Sequence, residues 1–152
     1  MRYHNALILA LLMGCTLPEV DGAAPVLQET PIEAAMPPPP PPPATATTVE
    51  EFDTTTAADR AAAVVVQASA AEQRLGTTIA SLGSPTEPGI WLKTPLVKSV
   101  RSGRVVYQDK SVNVELRPSG GAPGSGSQIS LAAMRLIGAA LTGLPEIEVF
   151  AM

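Results

Sequence analysis

Seven consecutive prolines, Pro37 to Pro43, constrain this chain more than any other feature of its sequence. Proline fixes the backbone φ angle and has no amide hydrogen to donate, so neither a helix nor a central strand can pass through the run. The run instead favours a stiff polyproline II segment of about 3.1 Å per residue. We predict a disordered Pro-rich tether over residues 15–48, acting as a spacer, with the folded part after it. A ligand for a proline-binding groove is the alternative.

The first 14 residues have the layout of a secretory signal peptide, since Arg2 is followed by an apolar run over residues 6–13. Such a run is shorter than the about 20 residues that a membrane-spanning helix needs. It ends in a motif that resembles the lipobox of bacterial lipoproteins, Leu12-Met13-Gly14-Cys15. A plain signal peptide that is cut elsewhere, with Cys15 incidental, is the alternative.

The lipobox resemblance implies that residues 1–14 are removed and that Cys15 is lipidated and becomes the new N-terminus. Several acyl chains anchor a protein stably where one chain does not. Thr16, in place of an aspartate after the cysteine, implies sorting to the outer membrane, with the protein facing the periplasm. We therefore expect a lipid-anchored outer-membrane protein, and the inner membrane is the alternative location.

Processing at Cys15 would remove the only histidine, His4, and use the only cysteine. Without them the mature protein cannot build a Ser-His-Asp or Cys-His relay, or a zinc site with nitrogen or sulfur ligands. We predict no catalytic residue, no metal and no cofactor. The formal net charge of −4 argues against nucleic acid as a partner, because phosphate binding needs clustered Lys and Arg.

An alanine-rich stretch over residues 49–76 predicts a helical segment. Thr56, followed three residues later by Asp59, is a variant of the capping box and starts its main helix. We expect this helix to run to Arg74 and to end at Gly76. It would pack on its own domain, and a coiled-coil partner is the alternative.

Residues 77–152 predict a small β-rich domain, because short apolar runs alternate there with Gly, Pro and Ser. A Gly- and Ser-rich loop over 119–127 precedes a helix that Ser130 caps and Gly138 ends. The predicted strands are residues 77–82, 90–92, 96–100, 104–108, 111–116 and 146–150, with a hairpin at Asp109-Lys110. The fold class is therefore mainly β with one short embedded helix.

The order of elements in the C-terminal half resembles the rare lipoprotein A family, a double-psi β-barrel. The shared features are a strand ending in Arg117-Pro118, a glycine-rich loop, a helix beginning at Ser130, and a final strand over residues 147–149. The resemblance implies a lytic transglycosylase, but the catalytic aspartate of that family falls at Leu116. Glu115 is the nearest carboxylate, and strand alternation places it on the solvated face. Peptidoglycan cleavage, which the resemblance implies, is kept as an alternative function.

A second resemblance, carried by residues 76–83 and 88–96, is to short alphaproteobacterial proteins that bear the name D-galactarate dehydratase. True members of that enzyme family are several times longer and need metal-binding residues that we do not find here. We judge the name unsupported by the residues. Trp91 is the one large aromatic anchor of the domain, and we expect it to pack in the core or at a strand edge rather than to bind sugar.

We therefore expect a non-enzymatic outer-membrane lipoprotein whose small domain binds an envelope partner, either peptidoglycan or an envelope protein. Seven basic residues against five acidic ones after residue 76 make that domain mildly basic, which suits an anionic partner. The candidate binding residues are Trp91 and Arg117, and the candidate lipidation site is Cys15. The sequence does not indicate an oligomeric state.

Overall fold

A computed structural model describes residues 37–65 and 72–152. The predicted signal peptide, Cys15 and the first part of the predicted tether lie outside the described residues. The helices are α1 (Val49–Phe52), α2 (Ala57–Val64) and α3 (Leu131–Leu136). The strands are β1 (Gln73–Leu82), β2 (Trp91–Thr94), β3 (Arg101–Tyr107), β4 (Lys110–Pro118), β5 (Ser127–Ile129) and β6 (Glu146–Ala151). Among the described helices, none is both long and apolar enough to cross a membrane.

The six strands close into a barrel in the order β1-β5-β2-β4-β3-β6, with β6 also paired to β1. The pairs β1–β5 and β2–β4 are parallel, and the other pairs are antiparallel. Alternate residues point into the barrel, as the sequence of β4 predicts: Val112, Val114 and Leu116 are buried, whereas Glu115 is exposed. A mainly β domain with one embedded helix is therefore confirmed.

Helix α3 begins and ends where its sequence predicts. The Ser130 hydroxyl accepts a hydrogen bond from the backbone N–H of Ala133, three residues into the helix, at 3.3 Å. Gly138, with a φ of 71°, follows the last turn. Met134 and Ile137 of this segment are fully buried in the barrel's core cluster. The helix therefore supplies core side chains between the glycine-rich loop and the last strand.

The alanine-rich helix ends earlier than predicted. Helix α2 stops at Val64, and Gln73 already pairs with Ala151 of β6, so the barrel begins before residue 77. Gly76 does not cap a helix. It lies at a bulge where the β1–β6 register shifts, with a φ of 140° that favours glycine. Pairing with β6 outweighs the local helix preference, because propensity is a weak prior against tertiary contacts.

Two further predictions need correction: the strand at residues 96–100 and the loop that ends at residue 127. Residues 96–100 form turns and bends, and the Thr94 hydroxyl accepts a hydrogen bond from the Leu96 backbone N–H at 3.3 Å, where the chain turns away. The short strand β5 lies where a loop end was predicted. Its two neighbours in the barrel, β1 and β2, hold it in place. The hairpin is confirmed one residue earlier than predicted: its turn is Gln108-Asp109, with Gln108 at a φ of 54°, and Lys110 already belongs to β4.

An ion pair holds the chain where it enters β1. Both oxygens of the Glu72 carboxylate accept hydrogen bonds from Arg104 of β3, and the two side chains are 16% and 15% exposed. The guanidinium of Arg104 also stacks on the Phe150 ring, 4.5 Å from its centroid. Hydrogen bonds from Arg104 hold the pKa of the Glu72 carboxyl below its usual value. The charged pair thus fixes the start of the barrel.

The proline run packs on the domain instead of standing free as a spacer. Pro39 and Pro42 are half-buried while the other five prolines are exposed, and this spacing of three matches one edge of a polyproline II helix. Pro37 to Pro39 line an apolar cleft with Ala62, Ala63 and Ile90, among others. The Thr54 hydroxyl donates a hydrogen bond to the carbonyl of Pro40 at 2.6 Å. This part of the predicted disordered tether is therefore docked on its own chain.

Candidate functional site

Four polar side chains form a row across the outside of the barrel. Ser81 of β1 is paired with Gln128 of β5, Gln128 with Lys93 of β2, and Lys93 with Arg117 of β4. Their neighbours along the strands are buried, as Leu92, Leu116 and Ile129 show with 0% exposure. Because side chains alternate along a strand, the four polar ones point outward together.

An open groove of about 470 Å³ lies along this row. Its lining combines serine hydroxyls, one amide, one ammonium and glycine backbone with two exposed apolar side chains, Ile79 and Leu144. The lining residues are Ile79, Ser81, Lys93, Ser119, Gly121, Ser125, Gly126, Ser127, Gln128 and Leu144. None of them is acidic. The groove therefore offers neutral hydrogen-bond donors and acceptors, a cation and small apolar surfaces.

Trp91, a candidate binding residue, is fully buried and lies outside the barrel's core cluster. It points to the same outer side of β2 as Lys93, and the loop over residues 83–89 covers it. A Cβ at Gly83 would come within 2.4 Å of the indole Cη2, so only glycine fits there. The indole N–H donates to the carbonyl of Glu87 at 3.3 Å. The packing role predicted for Trp91 is the one that the structure shows.

Arg117, the second candidate, lies beside Trp91 in a charged cluster. The Arg117 guanidinium carbon and the Lys93 ammonium nitrogen lie 5.4 Å and 5.0 Å from the indole centroid. The Glu87 carboxylate bridges both cations, at 2.6 Å from Lys93 Nζ and 2.7 Å from Arg117 Nη1. The Arg117 Nε donates to Glu115. About 30% of the side chains of Lys93, Arg117 and Glu87 is exposed, so this cluster is in contact with solvent.

By the resemblance to rare lipoprotein A, residues 115 and 116 are the candidates for the position of a catalytic carboxylate. Leu116, at the position that the resemblance assigns to the catalytic aspartate, is fully buried in the barrel. The Glu115 side chain is 48% exposed and is paired with Arg117. In the described part of the chain, no three His, Cys, Asp or Glu side chains come together as metal ligands would. Cys15 lies outside the described residues.

Sequence reasoning found two members of this region, Trp91 and Arg117, and missed the others. Lys93 has the same strand parity as Trp91, which is a local signal that could have found it. Glu87 lies in a loop, and Gln128 lies in a strand that only its neighbours define. Gln128 reaches Lys93 through the antiparallel pairing of β2 with β5, and Arg117 reaches it through the parallel pairing of β2 with β4, neither of which leaves a local pattern.

Comparisons of the chain with protein-family models, with curated proteins and with solved structures find no match. The binding chemistry of the groove and of its charged cluster is therefore inferred from their own side chains.

Proposed function

We propose that this protein is a non-enzymatic outer-membrane lipoprotein, anchored through a lipidated Cys15 and facing the periplasm, whose barrel binds an envelope glycan such as peptidoglycan. The groove carries this proposal. Sugars present hydroxyl groups around rings with apolar C–H faces, and the groove offers serine hydroxyls, the Gln128 amide and the exposed Ile79 and Leu144. The polar lining can bond the sugar hydroxyls, and the two apolar side chains can contact the C–H faces.

The residues favour binding over cleavage. Glycosidic bond cleavage needs a carboxylic acid placed beside the scissile oxygen with a tuned pKa. Leu116 occupies the position expected for that acid and faces the core, and Glu115 is solvated and paired with a cation. For the dehydratase alternative, the described residues provide no metal-ligand cluster.

We propose further that the barrel is of the double-psi type. Two parallel strand pairs inside a closed six-stranded barrel support this assignment, as does a helix between a glycine-rich loop and the last strand. The proposal concerns the scaffold alone and does not bring the family's catalytic chemistry with it.

Replacing Cys15 with serine is expected to move the protein from the membrane fraction to a soluble or unprocessed form, because a serine cannot carry the thioether-linked lipid. Detergent partitioning and mass spectrometry of the N-terminus would measure this. A control replacement of Thr16 by serine should leave partitioning unchanged. Unaltered partitioning of the Cys15→Ser protein would contradict the lipid anchor.

Glycan binding is tested by sedimenting the full chain with isolated peptidoglycan and by titrating it with soluble glycan strands. Gln128→Ala should weaken binding about three- to tenfold, since a lost hydrogen bond costs about 0.5–1.5 kcal/mol. Gln128 is exposed, so its loss should leave folding intact. Ser99→Ala is the matched control, because Ser99 is exposed in a turn outside the groove.

Failure of the wild-type chain to bind either material would overturn the glycan proposal. Capture of an envelope protein by crosslinking would then point to the other partner class. Release of anhydro-sugars from glycan strands would instead show that the protein is an enzyme.

A further inference from the structure

The charged cluster at the end of the groove is arranged like an occupied anion site. Two cations, Lys93 and Arg117, lie about 5 Å from the centroid of one aromatic ring, and one carboxylate bridges them. That carboxylate, Glu87, belongs to the loop over residues 83–89 and not to the barrel strands that carry the cations. The chain itself therefore supplies the anion that two barrel residues bind.

The cations are held in place by the barrel. Lys93 and Arg117 are paired neighbours on the parallel strands β2 and β4, and both side chains leave the same face. The indole of Trp91 lies beneath them and is fully buried. Both cations contact its ring. Arg117 donates its Nε to Glu115 and its Nη1 to Glu87. Glu87 is therefore the carboxylate that bridges Arg117 and Lys93. Besides Glu87, both cations contact the Trp91 indole, and Arg117 also contacts Glu115.

The cluster is continuous with the groove. Lys93 both lines the groove and contacts Glu87, and Gln128 and Ser81 follow it along the outer row. A sugar lying on Ser81 and Gln128 would place a substituent beside the Lys93 ammonium. A carboxylate on that substituent matches the group that Lys93 and Arg117 already bind.

We infer that Lys93 and Arg117 form the subsite for the carboxylate of an acidic sugar, and that Glu87 occupies this subsite in cis until such a ligand displaces it. The inference rests on the proposed glycan function and names the ligand class for the same groove. Glu87 acts as an internal competitor, so its charge weakens acidic ligands and leaves neutral ones unaffected. Displacement of the Glu87 carboxylate changes the charges beside the Trp91 indole, while the hydrogen bond from the indole N–H to the Glu87 carbonyl remains.

The test compares N-acetylmuramic acid with N-acetylglucosamine, which lacks the 3-O-lactyl group and therefore its carboxylate. Each is titrated into the full chain while the fluorescence of Trp91, the only tryptophan, is followed. Glu87→Gln keeps the side-chain shape and removes the charge. It should tighten binding of N-acetylmuramic acid about fivefold, which corresponds to about 1 kcal/mol, the upper value for a solvent-exposed ion pair. Binding of N-acetylglucosamine should change less than about twofold.

Glu115→Gln is the matched control, since it removes a carboxylate that contacts Arg117 but not Lys93. It should alter binding of the acidic sugar less than Glu87→Gln does. Lys93→Gln provides a second readout in an otherwise intact protein, and it should abolish the preference for the acidic sugar. Lys98→Gln, at an exposed lysine outside the groove, should preserve that preference.

A Glu87→Gln protein that stays folded by circular dichroism and binds N-acetylmuramic acid no more tightly than wild type would overturn the inference. A Lys93→Gln protein that keeps the acid preference would do the same, even if Glu87→Gln fails to fold. Equal binding of both sugars by all variants would leave the glycan function standing and remove the carboxylate subsite. Absence of binding of either sugar, and of glycan strands, would remove both.

Discussion

Replacing Leu116 with aspartate is expected to unfold the barrel, although the resemblance to rare lipoprotein A would place an aspartate there. Leu116 is fully buried, and its Cδ1 would lie 2.3 Å from a Cβ at Gly103, so the site has no room for water. The change loses about 1.5–3 kcal/mol of apolar burial and adds several kcal/mol for an unpaired buried charge. A small domain has only about 5–15 kcal/mol of stability in total.

Circular dichroism and thermal unfolding would measure this effect. Leu116→Met is the matched control, because a volume-conserving apolar change usually costs less than about 1.5 kcal/mol. The expected outcome is a folded Met variant and an Asp variant without a cooperative transition at room temperature. An Asp variant that melts near wild type would show that position 116 reaches solvent. Release of anhydro-sugars by that variant would show that the scaffold is catalytically competent.

Ser130→Ala is expected to destabilise the protein by about 2–4 kcal/mol, more than an ordinary cap residue does. The fully buried Ser130 hydroxyl accepts from two backbone N–H groups, Ala133 at 3.3 Å and Trp91 at 3.1 Å. Alanine would leave both donors without this acceptor in a site closed to water. The loss combines a helix cap with a buried hydrogen bond between α3 and β2.

The midpoint of urea unfolding is the appropriate measurement, provided that its slope is unchanged. Thr56→Ala is the comparison, because the Thr56 hydroxyl caps the exposed start of α2 with a single backbone contact, to Asp59 N–H at 3.1 Å. That variant should lose about 1 kcal/mol. Equal losses for the two variants would mean that the contact from Ser130 to Trp91 contributes little.

Ser130 also shows how far local sequence signals reach in this chain. Its place three residues before Ala133, with Gly138 beyond the helix, predicts α3 and both of its ends. The bond to Trp91, 39 residues away, leaves no trace in that pattern. Half of its structural role could be predicted, and the other half depends on where β2 lies.

The charged cluster has the same limit. Arg117 was a candidate from its motif, and Trp91 from its size. The places of Glu87 and Lys93 in the cluster follow only from the tertiary structure. The loop that carries Glu87 folds over the indole. The pairing of β2 with β4 brings Lys93 beside Arg117. No spacing rule connects residues 87, 93 and 117, because Glu87 lies in a loop outside the barrel and Arg117 lies on a strand distant in sequence from both.

The sequence by itself determined the alternation of β4 and β6, the presence of a hairpin between β3 and β4, and the caps of α2 and α3. These features depend on interactions within a few residues, so their signals are local. The tertiary structure alone decided that residues 73–76 belong to β1 and that the proline run docks on its own chain. It also decided that an outer row of polar side chains forms a groove. Those outcomes depend on pairing between distant segments, whose combined contacts outweigh local preference.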